Sequence, residues 1–201
     1  MDEESFENRS FVWVVGSFFW ELLKAFLLAM VIIVPIRYFI AQPFFVRGAS
    51  MEPNFHNGEY LVIDQLSYRL SQPKRDDVIV FRYPLDESQF FIKRIIGLPG
   101  DEVIIDNSQI EIKNTSYPNG VLLNESQYLS SDVTTGGQVD VRLGSDEYFV
   151  LGDNRPSSSD SRVWGLVKRS EIVGRVWVRA WPFDRLTTFH SLVPSFVSPQ
   201  S

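Results

Sequence analysis

Two textures of hydrophobic and polar residues divide the chain. From Phe18 to Ile40 apolar residues dominate, and Ala25-Phe26-Leu27-Leu28-Ala29-Met30-Val31-Ile32-Ile33-Val34-Pro35-Ile36 carries no charge. A bilayer core takes about 20 mostly apolar residues in helix. The stretch from Ser17 to Ile36 reaches that length but includes Glu21 and Lys24. Those two lie three apart on one helical face, can pair, and leave the lysine free to snorkel toward headgroups. Residues 17–40 are therefore read as one retained transmembrane helix behind a short cytoplasmic N-terminus, residues 1–16. A cleaved signal peptide is the competing reading, but Pro35, Arg37 and the bulky residues that follow make no small-residue cleavage site. Arg9 and Lys24 before the run and Arg37 and Arg47 after it do not orient the helix.

After residue 45 the pattern shortens to β-type runs punctuated by Pro, Gly and Asp. Glu59 to Gln65, Asp77 to Tyr83, Gln89 to Ile96, Glu147 to Leu151 and Ile172 to Val178 read as strands. Glu102 to Asp106 and Gln109 to Lys113, joined at Asn107-Ser108, read as a hairpin. No helical period stands out beyond residue 50. These runs predict a mostly β domain over residues 41–185, a coiled antiparallel barrel or sandwich. A loop or small appendage is expected at about 106–145, polar and rich in Ser, Thr, Asn and Gly from Asn114 to Gly137. Residues 186–201 are expected to be a flexible tail.

Composition narrows the chemistry. A length of 201 residues suits one soluble domain plus an anchor. The net charge of −6, with no basic stripe, argues against a nucleic-acid partner. The absence of cysteine excludes disulfides, thiol catalysis and cysteine metal sites. With only His56 and His190, a multi-histidine zinc site is also disfavoured.

Three segments carry candidate chemistry. Ser50 lies in Arg47-Gly48-Ala49-Ser50-Met51-Glu52-Pro53, close behind the apolar run. Serine is a weak nucleophile without a base, and alone this one reads equally as a turn residue. His56 lies in a polar turn and His190 in the expected tail, so neither is a strong base candidate. Lys93 lies in Phe90-Phe91-Ile92-Lys93-Arg94-Ile95-Ile96. In a strand Phe91, Lys93 and Ile95 share one face and Phe90, Ile92, Arg94 and Ile96 the other. At least one cation must then enter an apolar environment or lie at a sheet edge. Burial can lower a lysine pKa by several units and so supply a neutral base; a snorkelling edge lysine is the plain alternative. The third segment, Gly152-Asp153-Asn154-Arg155-Pro156-Ser157-Ser158-Ser159-Asp160-Ser161-Arg162, directly follows the apolar strand Tyr148-Phe149-Val150-Leu151. Its hydroxyls and Asp/Arg combinations suit a rigid hydrogen-bonded loop that could orient an amine, although a merely polar loop has the same composition.

Together these segments resemble bacterial type I signal peptidases, the leader peptidases. Four blocks stand in the family's order: Ser50-Met51-Glu52-Pro53, Pro73 to Phe81, Lys93 to Asp101, and Gly152 to Arg162 followed by Trp164-Gly165. The resemblance implies a membrane-bound serine/lysine endopeptidase that removes signal peptides from exported proteins, on a mostly β domain of coiled antiparallel sheets. By position Ser50 would be the nucleophile and Lys93 the general base. Ser158 would match the serine that orients the lysine, and Asp160 with Arg162 the pair that stiffens the site. Asp153 and Arg155 fall in the same block. Met51, Phe91 and Gly48 would line or border the substrate pocket. Two positions depart from the family pattern. Gly48 stands where some members carry a serine that helps hold the oxyanion, and Asp76 replaces the glycine usual before Asp77.

The implied reaction is acyl transfer without metal or cofactor. The implied partners are preprotein signal peptides and the lipid bilayer, with the catalytic domain on the extracytoplasmic side of a single-pass cytoplasmic-membrane anchor. Any export machinery is not readable from the sequence. Two rivals share parts of the pattern. A non-enzymatic β-domain adaptor on a membrane stalk would not need Lys93 or Ser158, and a self-cleaving serine/lysine regulatory protease would not need the anchor.

Overall fold

A computed structural model describes residues 3–35 and 41–197. The last part of the expected anchor, residues 36–40, and the last part of the expected tail, residues 198–201, lie outside the described residues. The chain divides into two compact units, residues 1–40 and 41–201.

The first unit is one helix, α1 (Glu3–Pro35). Within it Val15–Val34 is long and apolar enough to cross a bilayer. Phe18, Trp20, Leu27 and Val31 are all exposed. An apolar, exposed surface of this extent suits lipid as its solvent. Lys24 Nζ pairs with Glu21 Oε1 at 2.6 Å, the i, i+3 pair that the sequence suggests.

The second unit is mostly β, as expected. Strands β1 (Ala41–Phe45), β2 (Tyr60–Asp64), β3 (Val78–Tyr83), β4 (Asp86–Gly97), β9 (Glu147–Leu151), β10 (Val167–Lys168), β11 (Ile172–Trp181) and β12 (Thr187–Thr188) form one antiparallel sheet. Its order is β1-β2-β11-β3-β4-β9-β10, with β12 beside β11. Strands β5 (Glu102–Asp106), β6 (Gln109–Lys113), β7 (Val121–Asn124), β8 (Val139–Arg142) and β13 (Ser195–Val197) form a second sheet in the order β13-β7-β6-β5-β8. The unit also holds two short α-helices, α2 (Leu66–Leu70) and α3 (Ser161–Trp164), and 3-10 turns at Arg155–Ser157, Arg169–Glu171 and Phe183–Arg185.

Local chemistry explains the joints. Asn107 and Ser108 turn the β5–β6 hairpin with φ of 47° and 64°, the left-handed pair that a two-residue turn needs to follow strand twist. At Gly97, where β4 reaches the second sheet, an added Cβ would stand 2.6 Å from Val103 Cγ2. Apolar residues alternate inward along β2, β5 and β6. They enter two core clusters, one of Leu61 and Ile63 with Val46, Phe55 and neighbours, the other of Ile96, Val103, Ile105, Ile112, Phe149 and Leu151 with neighbours. Each such side chain contributes roughly 1.5–3 kcal/mol by burial.

Two expectations need correction. The region around 106–145, expected as a loop or small appendage, contributes β6, β7 and β8, three strands of the second sheet. Short apolar pairs such as Leu122-Leu123 escape a pattern search because their strands are only four residues long. The segment after Arg185 is also built into the fold as far as it is described, since β12 pairs with β11 and β13 with β7. Phe189 packs on Phe55 and Phe196 on Tyr117, so apolar anchors hold this polar stretch.

Candidate active site

Ser50 lies on the turn between β1 and β2. Its loop is tied from within by the Phe55 N–H donating to the Met51 carbonyl and the Gly48 N–H donating to Asn57 Oδ1. It is tied from outside by Asn154, whose backbone N–H donates to the Ser50 carbonyl and whose side-chain amide donates to the Ala49 carbonyl. Gly152, at the end of β9, must be glycine: an added Cβ would stand 2.4 Å from the Ser50 carbonyl oxygen and 2.1 Å from Ser158 Oγ.

Lys93 reaches this turn from β4. Its Nζ stands 2.8 Å from Ser50 Oγ and 3.0 Å from the Ile92 carbonyl oxygen. The lysine is only 4% exposed, and burial pushes its pKa down to about 8 against the pull of Asp160 and Asp153. At neutral pH that leaves about a tenth of the amines neutral, compared with about one in 2,500 at the ordinary value. An amine so placed can take a proton from the hydroxyl it touches.

On the other face of β4, Arg94 is buried to the same degree. Its Nε and Nη2 grip the two Asp153 carboxylate oxygens at 2.8 and 2.6 Å, and its Nη1 donates to the Asp76 carbonyl. Arg155 donates through Nε to the Gly152 carbonyl and through Nη1 and Nη2 to Glu125, with Thr135 a further partner. Asp160 caps α3 and receives Arg162 Nε and Nη2 at 2.8 Å each, while also accepting from the Gly152 N–H. These ion pairs make the 152–162 loop a rigid brace against the serine turn.

An open cleft of about 650 Å³ runs beside the Ser50–Lys93 pair. Phe44, Val46, Leu61 and Val80 contribute to one wall, and Ser88 to Lys93 to another. Strand β4 pairs with β3 from Asp86 to Arg94 but with β9 only from Arg94 onward. Among the described residues the half of β4 bordering the cleft therefore keeps a free backbone edge, a template for an extended peptide.

The residues singled out from sequence are placed as follows. Ser50 and Lys93 are brought into contact. Asp153, Arg155, Asp160 and Arg162 surround the loop behind them. Phe91 and Gly48 line the cleft, and Gly48 has φ 91° with open space where a Cβ would go. Met51 does not line it. It is 1% exposed and packs with Val46, Phe55 and Leu61, because the turn that presents Ser50 directs the next side chain into the core. Ser158 Oγ is buried and, among the described residues, has no hydrogen-bond partner; the amine it was expected to orient contacts Ser50 and Ile92 instead. His56 pairs with Glu52 at 3.6 Å, away from the dyad. Sequence reasoning missed Asn154, Asn54, Arg94, Glu125 and Tyr128 as members of the site's scaffold. Asn154 was detectable, since it lies between two residues already selected; Glu125 and Tyr128 carry no local signal.

An antiparallel β unit that follows an apolar helix in the chain and sets a buried lysine against a serine has the parts of a serine peptidase of the serine/lysine type. The model of the family described as "Signal peptidase, peptidase S26" matches residues 19–181, and the chain belongs to that family. It is 39% identical to a Synechocystis protein named "Probable signal peptidase I-2" over 83% of this chain and 75% of that one. It is 35% identical to a Bacillus caldolyticus protein named "Signal peptidase I" over 78% of this chain and 88% of that one. A crystal structure of a signal peptidase I from Enterococcus faecalis is 32% identical, covers 52% of this chain and 97% of its own, and gives a TM-score of 0.43.

Proposed function

We propose that Ser50 and Lys93 are the catalytic dyad with which this peptidase removes signal peptides from preproteins. The observation that carries the assignment is the 2.8 Å contact between Ser50 Oγ and the amine of a buried lysine. Neutral Lys93 takes the hydroxyl proton as Oγ bonds to the scissile carbonyl carbon. The tetrahedral intermediate collapses with cleavage of the C–N bond, and the lysine ammonium donates its proton to the leaving amine. Water, deprotonated by the same amine, then releases the acyl group and restores the hydroxyl.

The Gly48 N–H is committed to Asn57, so the Ser50 N–H is assigned as the backbone donor to the oxyanion. The substrate lies extended along the free edge of β4, with small side chains directed at the cleft walls. Ser158, a hydroxyl buried beside Gly152 without a partner, is assigned to orient Lys93 once substrate displaces the amine from its resting contacts. Asp153, Arg155, Asp160 and Arg162 act as positioning residues. A non-enzymatic adaptor would have no use for a lysine held at this depth against a serine.

The test is cleavage of a model preprotein by wild type and Ser50→Ala in the same vesicles. Loss of cleavage in a folded Ser50→Ala protein is expected; retained cleavage sinks the dyad. The β unit is assigned to the extracytoplasmic side, because signal peptides are cut after their passenger has crossed. Protease added outside spheroplasts should digest the β unit and spare a tag at Met1. The reverse protection pattern would refute that side.

A further inference from the structure

The segment between β7 and β8 sets Tyr128 and Glu125 against residues that brace the dyad, Arg94 and Asn54 for the tyrosine and Arg155 for the glutamate. The Tyr128 ring lies beneath the Arg94 guanidinium, 3.9 Å from centroid to Cζ. Its carbonyl accepts from Asn54 Nδ2, which also donates to Asp153, each at 2.8 Å. Tyr128 thus touches both partners of Asp153, one from the Ser50 turn and one from the Lys93 strand. Its hydroxyl stands 2.8 Å from Glu125 Oε1 and 3.2 Å from Asp76 Oδ1.

One phenolic proton cannot serve two carboxylates. Glu125 is the nearer and is gripped by Arg155 through both of its oxygens. The Asp76 contact is a hydrogen bond only if Asp76 itself supplies a proton. Charge points the same way. Arg94 is balanced by Asp153, Arg155 by Glu125, and Arg75 by Asp101, so an ionised Asp76 would be an uncompensated buried carboxylate. Asp76 is 3% exposed, on backbone with φ 68°. Asp77, Arg175 and His190 border the same small cavity. Burial pushes the Asp76 carboxyl up to about 6, against the pull of Arg94, Tyr128 and Arg75 and with a push from Glu125.

We propose that Tyr128 is a positioning residue for the reaction at Ser50 and Lys93, held in place by a protonated Asp76 that donates to its hydroxyl while that hydroxyl donates to Glu125. This rests on the dyad assigned above. It gives Asp76 and the 125–137 segment a shared role, bracing Asp153 from behind. Loss of the Asp76 proton unpins the ring, loosens Arg94 and Asn54 together, and lowers turnover without altering the peptide-binding edge of β4.

The test uses the full chain in detergent micelles, with kcat and KM for a preprotein measured from about pH 6 to about pH 9. Tyr128→Phe is expected to lower kcat about tenfold with KM within about twofold. Asp76→Ala should match it near pH 6 and converge on wild type toward pH 9, where wild-type Asp76 has itself lost the proton. Asp76→Asn should keep the wild-type rate near pH 6 and exceed it toward pH 9, because its amide donates to the tyrosine oxygen at every pH. The infrared carbonyl band of a buried carboxylic acid should be present in wild type at low pH and absent in Asp76→Asn. Tyr128→Phe turnover within twofold of wild type at all pH, equal losses in Asp76→Asn and Asp76→Ala, or no such band would each overturn the proposal. The infrared band and the Asn/Ala contrast remain decisive even where Tyr128→Phe lowers the unfolding temperature. Ser50→Ala and Lys93→Ala are measured alongside. If they stay active the dyad falls; if they are inactive while Tyr128→Phe is unimpaired, only the network falls.

Discussion

Lys93 and Arg94 are neighbours in sequence, equally buried, and on opposite faces of β4, yet their surroundings treat them oppositely. Arg94 meets a carboxylate in a two-pronged grip, a backbone carbonyl and an aromatic ring. Desolvation is the largest single influence and opposes its charge, but Asp153, Tyr128 and Asp76 together outweigh it and hold the guanidinium above its usual range. Lys93 meets a hydroxyl, one carbonyl and, at 5.5 Å, the face of the Phe91 ring, and among the described residues no carboxylate touches it. Asp160 and Asp153 act on it only at a distance, so burial wins and its pKa falls. The same depth therefore yields a fixed structural cation on one face and a proton acceptor on the other. What differs is whether a carboxylate is in contact.

The sharpest way to break this contrast is to remove the amine. Lys93→Ala should lower turnover by about four orders of magnitude or more, since nucleophile and base act as one unit. Lys93→Arg should be as inactive, because a guanidinium stays protonated. Turnover within tenfold of wild type for either variant in a preprotein assay would make residue 93 structural.

Stability should separate the two faces in opposite directions. Arg94→Met strands the Asp153 carboxylate, and losing one partner of a buried pair costs about 3–5 kcal/mol. Lys93→Met removes a cation that burial destabilises. A lysine whose folded pKa lies below its unfolded value loses stability as pH falls, because the unfolded chain binds more protons. Between the ordinary 10.5 and about 8 that cost accumulates to about 3 kcal/mol, and it is fully present below pH 8. Lys93→Met should therefore unfold at a higher temperature than wild type at pH 7, with the gap narrowing as the buffer is raised toward pH 10.5. Destabilisation by both methionines would erase the distinction.

Ser158→Ala should lower kcat about tenfold with KM nearly unchanged, and the same change at the exposed Ser157 and Ser159 should do little. Equal effects at all three serines would assign the role to the loop rather than to one hydroxyl. The smallest effect concerns the distant carboxylates. The wild-type profile of kcat/KM should rise with pH through an ionisation near 8. Asp160→Asn weakens the pull on the ammonium, so that rise should move to lower pH. Movement to higher pH would show that Asp160 does not act on the amine through its charge.

Much of the architecture was legible because it is local. The Asn107-Ser108 turn and its two alternating flanks specify the β5–β6 hairpin to the residue. The strand Glu147–Leu151 is bounded by an acidic turn and a glycine that no substitution fits. Strands such as β8 and β13 were not legible. They are short, half polar, and become strands only because β5 and β7 offer them partners. In the site, Ser50 and Lys93 were legible as residue types in ordered blocks, whereas Met51 was misplaced. Its neighbour Ser50 faces the cleft, and only the course of the turn decides which of the two points inward.

By itself the sequence determined an apolar helix long enough to cross a bilayer, a β unit after it in the chain, and a serine and a lysine available for chemistry. These follow from periodicity and side-chain type, which are properties of neighbouring residues. The tertiary structure alone decided which cation on β4 keeps its proton. Pattern alone treats Lys93 and Arg94 alike, as cations in an apolar strand. Their pKa values depend on carboxylates at positions 153 and 160, and the distance to those groups is set by how the sheet folds back on itself.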